Sequence, residues 1–594
     1  RDRSTKDIKA RFQAALTLKL WEGLNFSSSL QYEIFNSKRR DLYKEDSWVV
    51  KNPVNYYTEY NDATGVVGKS AYPTGQFLDQ YTSEMQGYTF RNQVNFNRTF
   101  RRHDFNVVLG TELRHRRTTS SPRVYGYNDE TLTSKLFPNG TGKLAIKDLF
   151  GNTITVDDYA STFTFNTDRF FSLYGNAAYT FDNKYTISGS VRTDASNFIT
   201  DDPKYRYAPF WSVGGMWNLG QESFMSDYLF IDWLRLRLTY GYNGNVDTST
   251  SFKPLVSIGS VENVYKHEIT GSIASFGNPE LRWEKVGSVD IGIDYSFWGG
   301  KLAGKLDYYR KYSKDLIATI SISSANGTTS QKLNNAEMLN SGIELEVGSQ
   351  LDIIGKDIQW YGNVNYAYNL NRIERLFVTD NSAKTYLRGD FKEGENASTI
   401  YAWHYAGVNK DGIPCVEEGS SPDGLRPMNT VYDNTSDATG WLRPQGVKVA
   451  PHIMGLTTGF KVYNFDLSLI VTGKFGHKFK RSSFNYPTMG KTGTSKIWVH
   501  KDVSKLLDGD KAMPPLLTDT EDSNQMYYDS YYTDAMDYLY HNANHIRFQE
   551  LNLTWHIPEV WLQKIGFRTA AVYGQINNLG LITANKYKND PEFP

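Results

Sequence analysis

Apolar and polar residues alternate along this chain in runs of about ten, and the runs recur from one end to the other. In the first run Phe12, Ala14, Leu16, Leu18 and Leu20 alternate with Arg11, Gln13, Thr17 and Lys19. After a turn at Trp21-Glu22-Gly23, Leu24, Phe26, Leu30, Tyr32 and Ile34 alternate with Asn25, Ser27, Ser29, Gln31 and Glu33. Period two puts every apolar residue on one face of a strand, so these two runs predict a hairpin with one apolar and one polar face. The same pattern predicts strands around Tyr88–Phe96, Phe105–Leu113, Phe171–Phe181, Tyr185–Val191, Leu234–Tyr242, Val289–Phe297, Leu302–Tyr308, Trp360–Tyr368 and Phe465–Phe475. Arg235, Arg237, Asn363 and Asn365 fall on polar faces.

Run length separates two architectures. A soluble sandwich uses strands of about five or six residues, whereas a strand crossing a bilayer at a steep tilt needs about ten. Only a closed sheet leaves no unpaired backbone groups in hydrocarbon. The fold class this predicts is all-β, a transmembrane antiparallel β-barrel with about sixteen strands in this chain, forming a single domain over residues 1–594. The connections agree. Turns at 21–23, 182–184, 299–300 and 463–464 are short, and the stretches 36–87, 115–168, 243–287, 372–454 and 476–545 are long. Outer-membrane barrels place short turns in the periplasm and long loops outside. Short helices are predicted within 219–232 and at Glu559–Lys564.

Composition changes the picture little. Aromatics make up 14% of the 594 residues, with 41 Tyr, 32 Phe and 13 Trp, as barrel girdles require. No run of about eighteen apolar residues marks a membrane-spanning helix. Charge is balanced at 65 basic and 65 acidic residues, which argues against a nucleic-acid binder. The single cysteine, Cys415, allows no intrachain disulfide. The chain starts at Arg1, on the approach to a strand, and reads as a portion of a longer protein.

Several segments resemble one family, the SusC/RagA-like TonB-dependent outer-membrane transporters. They are Trp233-Leu234-Arg235-Leu236-Arg237-Leu238-Thr239-Tyr240-Gly241-Tyr242-Asn243-Gly244-Asn245, Asn278-Pro279-Glu280-Leu281-Arg282-Trp283-Glu284, Asp307-Tyr308-Tyr309, Asn340-Ser341-Gly342-Ile343-Glu344-Leu345 and Ile546-Arg547-Phe548-Gln549-Glu550-Leu551-Asn552-Leu553. A closing signature follows in Asn578-Leu579-Gly580-Leu581, Asn585-Lys586 and Asp590-Pro591. These matches span nearly the whole chain in the family's order. Asp194-Ala195-Ser196 departs from the family's usual "DGSS", and no N-terminal domain, TonB box or plug is visible. Family barrels have about 22 strands, so the resemblance implies that the first few strands, the plug and the last strand lie outside this chain. It also implies energy-dependent import of oligosaccharides or oligopeptides in the outer membrane of a Gram-negative bacterium. Implied partners are a SusD-like surface lipoprotein acting as a lid, TonB-ExbB-ExbD reached through a segment outside this chain, and membrane lipid. Dimers of such SusCD-type pairs are compatible with it. The alternative is a stand-alone TonB-dependent receptor for a siderophore or vitamin, against which stands the lack of a His- or Arg-rich loop cluster.

No GxSxG, HExxH, P-loop or paired CxxC occurs, so neither an enzyme nor a cofactor or metal site is expected. Asp519, Glu521, Asp522 and Asp529 cluster in one long loop, at a spacing that fits no EF-hand. Aromatics concentrate in two loops: Trp498, Tyr527, Tyr528, Tyr531, Tyr532, Tyr538 and Tyr540 in one, and Tyr56, Tyr57, Tyr60 and Tyr72 in the other. Such rings stack on sugars and bond to polar ligands or a lid protein; serving only to fold the loops is the competing reading. Trp298, Trp360 and Trp555, beside short turns, are expected in a membrane-interface belt.

Overall fold

The computed structural model describes residues 1–61, 63–128, 133–136, 145–147, 152–155, 164–200, 202–248, 250–262, 269–321, 330–376, 383–387, 389, 391–408, 414–417, 424–427, 440–481 and 536–593. Its long strands are β1 (Asp2–Trp21), β2 (Leu24–Tyr43), β3 (Gln76–Phe100), β4 (His103–Asn128), β5 (Thr164–Phe181), β6 (Tyr185–Ser196), β7 (Ala208–Asn218) and β8 (Ile231–Asn245). They continue with β9 (Glu284–Phe297), β10 (Leu302–Ser321), β11 (Ser330–Ile354), β12 (Ile358–Leu376), β13 (His452–Val462), β14 (Phe465–Phe475), β15 (His545–His556) and β16 (Ala571–Thr583). Among the described residues, sixteen long strands agree with the number the alternation predicts. Contacts divide the chain into two units, one of Arg1–Ala178, Ser190–Phe210 and Val246–Arg282, the other of Tyr179–Gly189, Trp211–Asn245 and Trp283–Pro594.

In the first unit β1, β2, β3 and β4 form an antiparallel run, each paired with the next. The predicted hairpin has Phe12 opposite Tyr32 and Leu18 opposite Phe26. Its strands, however, are 20 residues each, and β3 and β4 are 25 and 26. The sequence reading of about ten found only the part where one face must be apolar. Pairing continues through Asn36-Ser37-Lys38-Arg39-Arg40-Asp41, where both faces are polar and alternation is lost. Other contacts hold this extension. Arg39 lies over the Tyr81 ring and Arg40 over Tyr127, both at 5.4 Å. Asp41, fully buried, accepts hydrogen bonds from Arg1 and Arg3 at 2.7 Å.

The second unit holds the run from β7 through β16, again antiparallel. Register sorts its residues into rows. Leu238, Ile291, Tyr308, Ile343 and Tyr368 stand side by side across β8 to β12. Leu238 is 54% exposed and Ile291 49%. An apolar row this exposed suits lipid rather than water. One residue along, Arg237, Gly292, Asp307, Glu344 and Ala367 make the opposite, polar row.

Short connections alternate with long ones. Residues 22–23, 101–102, 182–184, 298–301, 355–357 and 463–464 form tight turns. Asp182 and Asn183 both have positive φ (52° and 55°), as a primed hairpin turn demands. Trp298 does too (58°), and there Asp232 fixes the turn by accepting the backbone N–H of Gly299 and Gly300 at 2.9 and 2.8 Å. The helix expected within 219–232 is instead two 3₁₀ turns, Leu219–Gln221 and Ser223–Met225, whereas the second expected helix forms at Glu559–Gln563.

The polar face carries a repeated device: a long side chain lies over a glycine on the neighbouring strand and reaches a polar group one strand further. Tyr174 crosses Gly110 to Gln93, with its hydroxyl 3.0 Å from Oε1. Arg237 crosses Gly292 to Asp307 at 2.7 Å. Tyr309 crosses Gly342 to Asn369 at 2.6 Å, and Tyr361 crosses Gly459 to Asp466 at 2.7 Å. A Cβ added at any of these glycines would overlap the crossing side chain, which would then have to shift.

Candidate functional site

The long connections fold into structured platforms with their own cores. In the first unit the helix Trp48–Tyr56 and the hairpin of Thr58–Asn61 with Val66–Ser70 surround Val50, Tyr57, Tyr72 and Phe77. This divides the first aromatic group. Tyr57 and Tyr72 stack on each other at 4.5 Å and are buried, so they build the platform and offer no face to a partner. Tyr56 is exposed and Tyr60 half-buried, and these two can meet a ligand or lid. Of the second group, Trp498, Tyr527, Tyr528, Tyr531 and Tyr532 lie outside the described residues, as does the acidic cluster at 519–529.

In the second unit the segment between β12 and β13 forms small sheets: Thr399–Trp403 pairs with Leu442–Val447, and Tyr405–Val408, Pro414–Glu417 and Leu425–Pro427 form another. Trp403, Cys415, Val416 and Met536 are fully buried there. The lone cysteine is thus a core residue. Beside it, Lys478–Lys480 pairs with Tyr540–Asn542, placing Tyr540 against a cavity of about 880 Å³ at the long-loop ends of β13 and β14. Tyr386, Tyr401 and Phe479 supply other aromatic walls, and Lys448, Lys474, Lys478 and Lys480 line it as well.

Charge in this cavity is arranged unevenly. Lys474 bonds Glu592 at 2.5 Å, which holds that carboxyl below its ordinary range, and Arg547 bonds both Glu592 (2.9 Å) and Asp590 (2.7 Å). This anchors the Asp590-Pro591 signature over the ends of β14 and β15. Lys448 and Lys478 have no carboxylate within 4.0 Å among the described residues. Burial, with His545 and Lys474 nearby, pushes His477 down to about 4, so its ring is neutral at pH 7, and its buried Nδ1 has no hydrogen-bond partner. Burial pushes Tyr401 up to about 12, and its hydroxyl also lacks a partner. These residues come from five distant stretches, and only Arg547 and Asp590 fall in segments that the sequence singles out.

The cavity shares Ile453, Lys474 and Glu592 with a second of about 460 Å³, lined by the polar-face residues Lys305, Glu346, Asn365 and Gln549. On that face Arg237 is clasped by Asp294 (2.8 and 2.9 Å) and Asp307, while Asn363 donates to Glu346 at 3.2 Å. Arg235 lies 5.0 Å from the Trp233 ring.

At the short-turn end Trp298 is 55% exposed and stacks on Phe230 at 6.0 Å. Trp360 donates its indole N–H to Thr458 at 2.9 Å, and Trp555 packs on Phe465 and Trp561. The sequence reading missed Trp217, whose indole N–H donates to Glu222 at 3.1 Å, and Trp561, which is 58% exposed; both sit at the same end. Proximity to a turn was the signal available for both. Among the described residues no group of three or more His, Cys, Asp or Glu is placed to hold a metal ion.

The family described as TonB dependent receptor-like, beta-barrel matches residues 11–409. TonB-dependent receptor P3 of Formosa agariphila is 24% identical over 470 residues, covering 76% of this chain and 44% of that protein. TonB-dependent receptor SusC of Bacteroides thetaiotaomicron is 22% identical over 557 residues, covering 90% of this chain and 51% of that protein. The chain therefore spans about half the length of these relatives. Among solved structures, the RagAB peptide transporter superposes with a TM-score of 0.74 at 21% identity, over 99% of this chain and 60% of that one. Relatives of this kind are receptors and transporters of the Gram-negative outer membrane rather than enzymes, and the short turns accordingly face the periplasm. The chain belongs to the TonB-dependent receptor-like β-barrel family, and its fold is that of the SusC/RagA-type outer-membrane transporters.

Proposed function

We propose that the protein containing this chain imports oligosaccharides or oligopeptides across the outer membrane, powered through TonB and capped outside by a SusD-like lipoprotein. The observation that carries this reading is likeness over nearly the whole chain to the TonB-dependent receptor SusC in sequence and to the RagAB peptide transporter in fold. The loop platforms support it, since a folded, partly aromatic outer surface is what a lid protein could seat on. Trp298, Trp360 and Trp555 fit an interfacial belt on the periplasmic side. The reading is tested by deleting the gene and growing the strain on single oligosaccharides and oligopeptides as carbon source. Loss of growth on one oligomer class, with growth on its monomers kept, is the expected result. Equal growth on every oligomer would overturn it.

A further inference from the structure

The cavity beneath the loop platform of the second unit is more specific than a general entrance. Its volume of about 880 Å³ lies in the range of sites that hold small organic ligands. Lys474 and Arg547 are already balanced by Glu592 and Asp590. Lys448 and Lys478 are not balanced by any carboxylate among the described residues, so the wall keeps a positive surplus. A cavity of this size with two unneutralised cations on its wall is the complement of an acid-bearing molecule.

We propose that this cavity docks a carboxylate-bearing oligomer, whose acid group is held by Lys448 and Lys478. The inference rests on the import reading, because it narrows the cargo to acidic oligomers. The shared Ile453, Lys474 and Glu592 place the docked molecule at the head of the second cavity, beside polar-face residues. A uronate ring and an acidic peptide offer the same carboxylate, and the experiment separates them.

The full-length protein, purified from outer membranes in mild detergent, is titrated calorimetrically with four probes: trigalacturonate, maltotriose, a tetrapeptide of Asp and Ala, and its Asn counterpart. Binding of one acidic probe is expected, with its neutral counterpart weaker by roughly tenfold or more, as loss of charge-assisted hydrogen bonds implies. Binding should weaken between about 50 and about 300 mM salt. Lys448→Gln with Lys478→Gln should weaken it by roughly tenfold, while thermal unfolding stays unchanged because neither lysine holds a structural partner. Trigalacturonate binding alone assigns an acidic glycan, and Asp-peptide binding alone an acidic peptide. Equal binding of acidic and neutral probes, no binding of any probe, or an unaffected double variant would overturn the proposal. None of these would touch the import reading, which is tested separately by growth and by the partner lipoprotein.

Discussion

Replacing Gly292 with alanine tests the glycine-crossing arrangement at its most heavily charged position. An added Cβ would overlap the Asp307 carboxylate and lie 2.6 Å from Arg237 Nη2. Arg237 cannot then span β9, and its bond to Asp307, 2.7 Å long, must break. Asp307 is 7% exposed, and a buried acceptor robbed of its donor costs about 1–3 kcal/mol. Arg237 retains both bonds to Asp294, so the loss stays below the roughly 3–5 kcal/mol of a fully broken buried pair. The assay is urea unfolding in detergent followed by tryptophan fluorescence, with Gly455→Ala as control. Gly455 has the same kind of polar-face position, between Asn365 and Thr472, but nothing lies within 4 Å of its added Cβ. That control should stay within about 0.5 kcal/mol of the parent. Combining Gly292→Ala with Asp307→Ala should cost less than the sum of the two, because the second change removes what the methyl strikes. Equal stability of Gly292→Ala and Gly455→Ala, or strict additivity of the pair, would refute the arrangement.

Three further outcomes are expected. Glu222 accepts hydrogen bonds from Tyr185 (2.5 Å), Trp217 (3.1 Å) and Lys184 (3.2 Å), which hold its carboxyl below the ordinary 4.5. The folded state thus binds this proton more weakly than the unfolded chain, so the contribution is complete above pH 4.5 and disappears as pH falls through the lowered value; melting curves across that window should show the parent losing its advantage over Glu222→Gln, and a constant difference would contradict the linkage. Arg547→Ala should release residues 584–593 from the ends of β14 and β15, seen as new cleavage there in limited proteolysis, whereas an unchanged cleavage pattern would mean that Asp590 and Glu592 do not anchor the segment. In bilayers carrying brominated headgroup-proximal lipids, single-tryptophan variants retaining Trp298 or Trp555 should be quenched strongly, and quenching no greater than in water-exposed controls would remove them from the interfacial belt.

Where lipid contact dictates the residues, the sequence was readable. Leu238, Ile291, Tyr308, Ile343 and Tyr368 alternate with polar neighbours because each must face hydrocarbon, and their rows form as the period predicts. Tight turns were visible for a similar reason, since Asp182-Asn183 and Gly299-Gly300 suit left-handed backbone. Beyond the membrane the constraint vanishes. The outer half of β2 is polar on both faces, so its strand is held by pairing and by Arg39 and Arg40 on tyrosines, none of which leaves a periodic trace. Aromatic density in a loop likewise does not say which ring is core: Tyr57 and Tyr72 are buried while Tyr56 is exposed. The cavity was illegible because Tyr401, Lys448, His477 and Glu592 meet only after the platforms fold.

The central claim is import by a lidded, TonB-dependent transporter. Its most direct test is mild-detergent extraction of the native protein from outer membranes, followed by mass spectrometry of the intact complex. The account predicts a stoichiometric SusD-like lipoprotein bound to the barrel. A barrel that emerges intact and alone would contradict it and favour a stand-alone receptor.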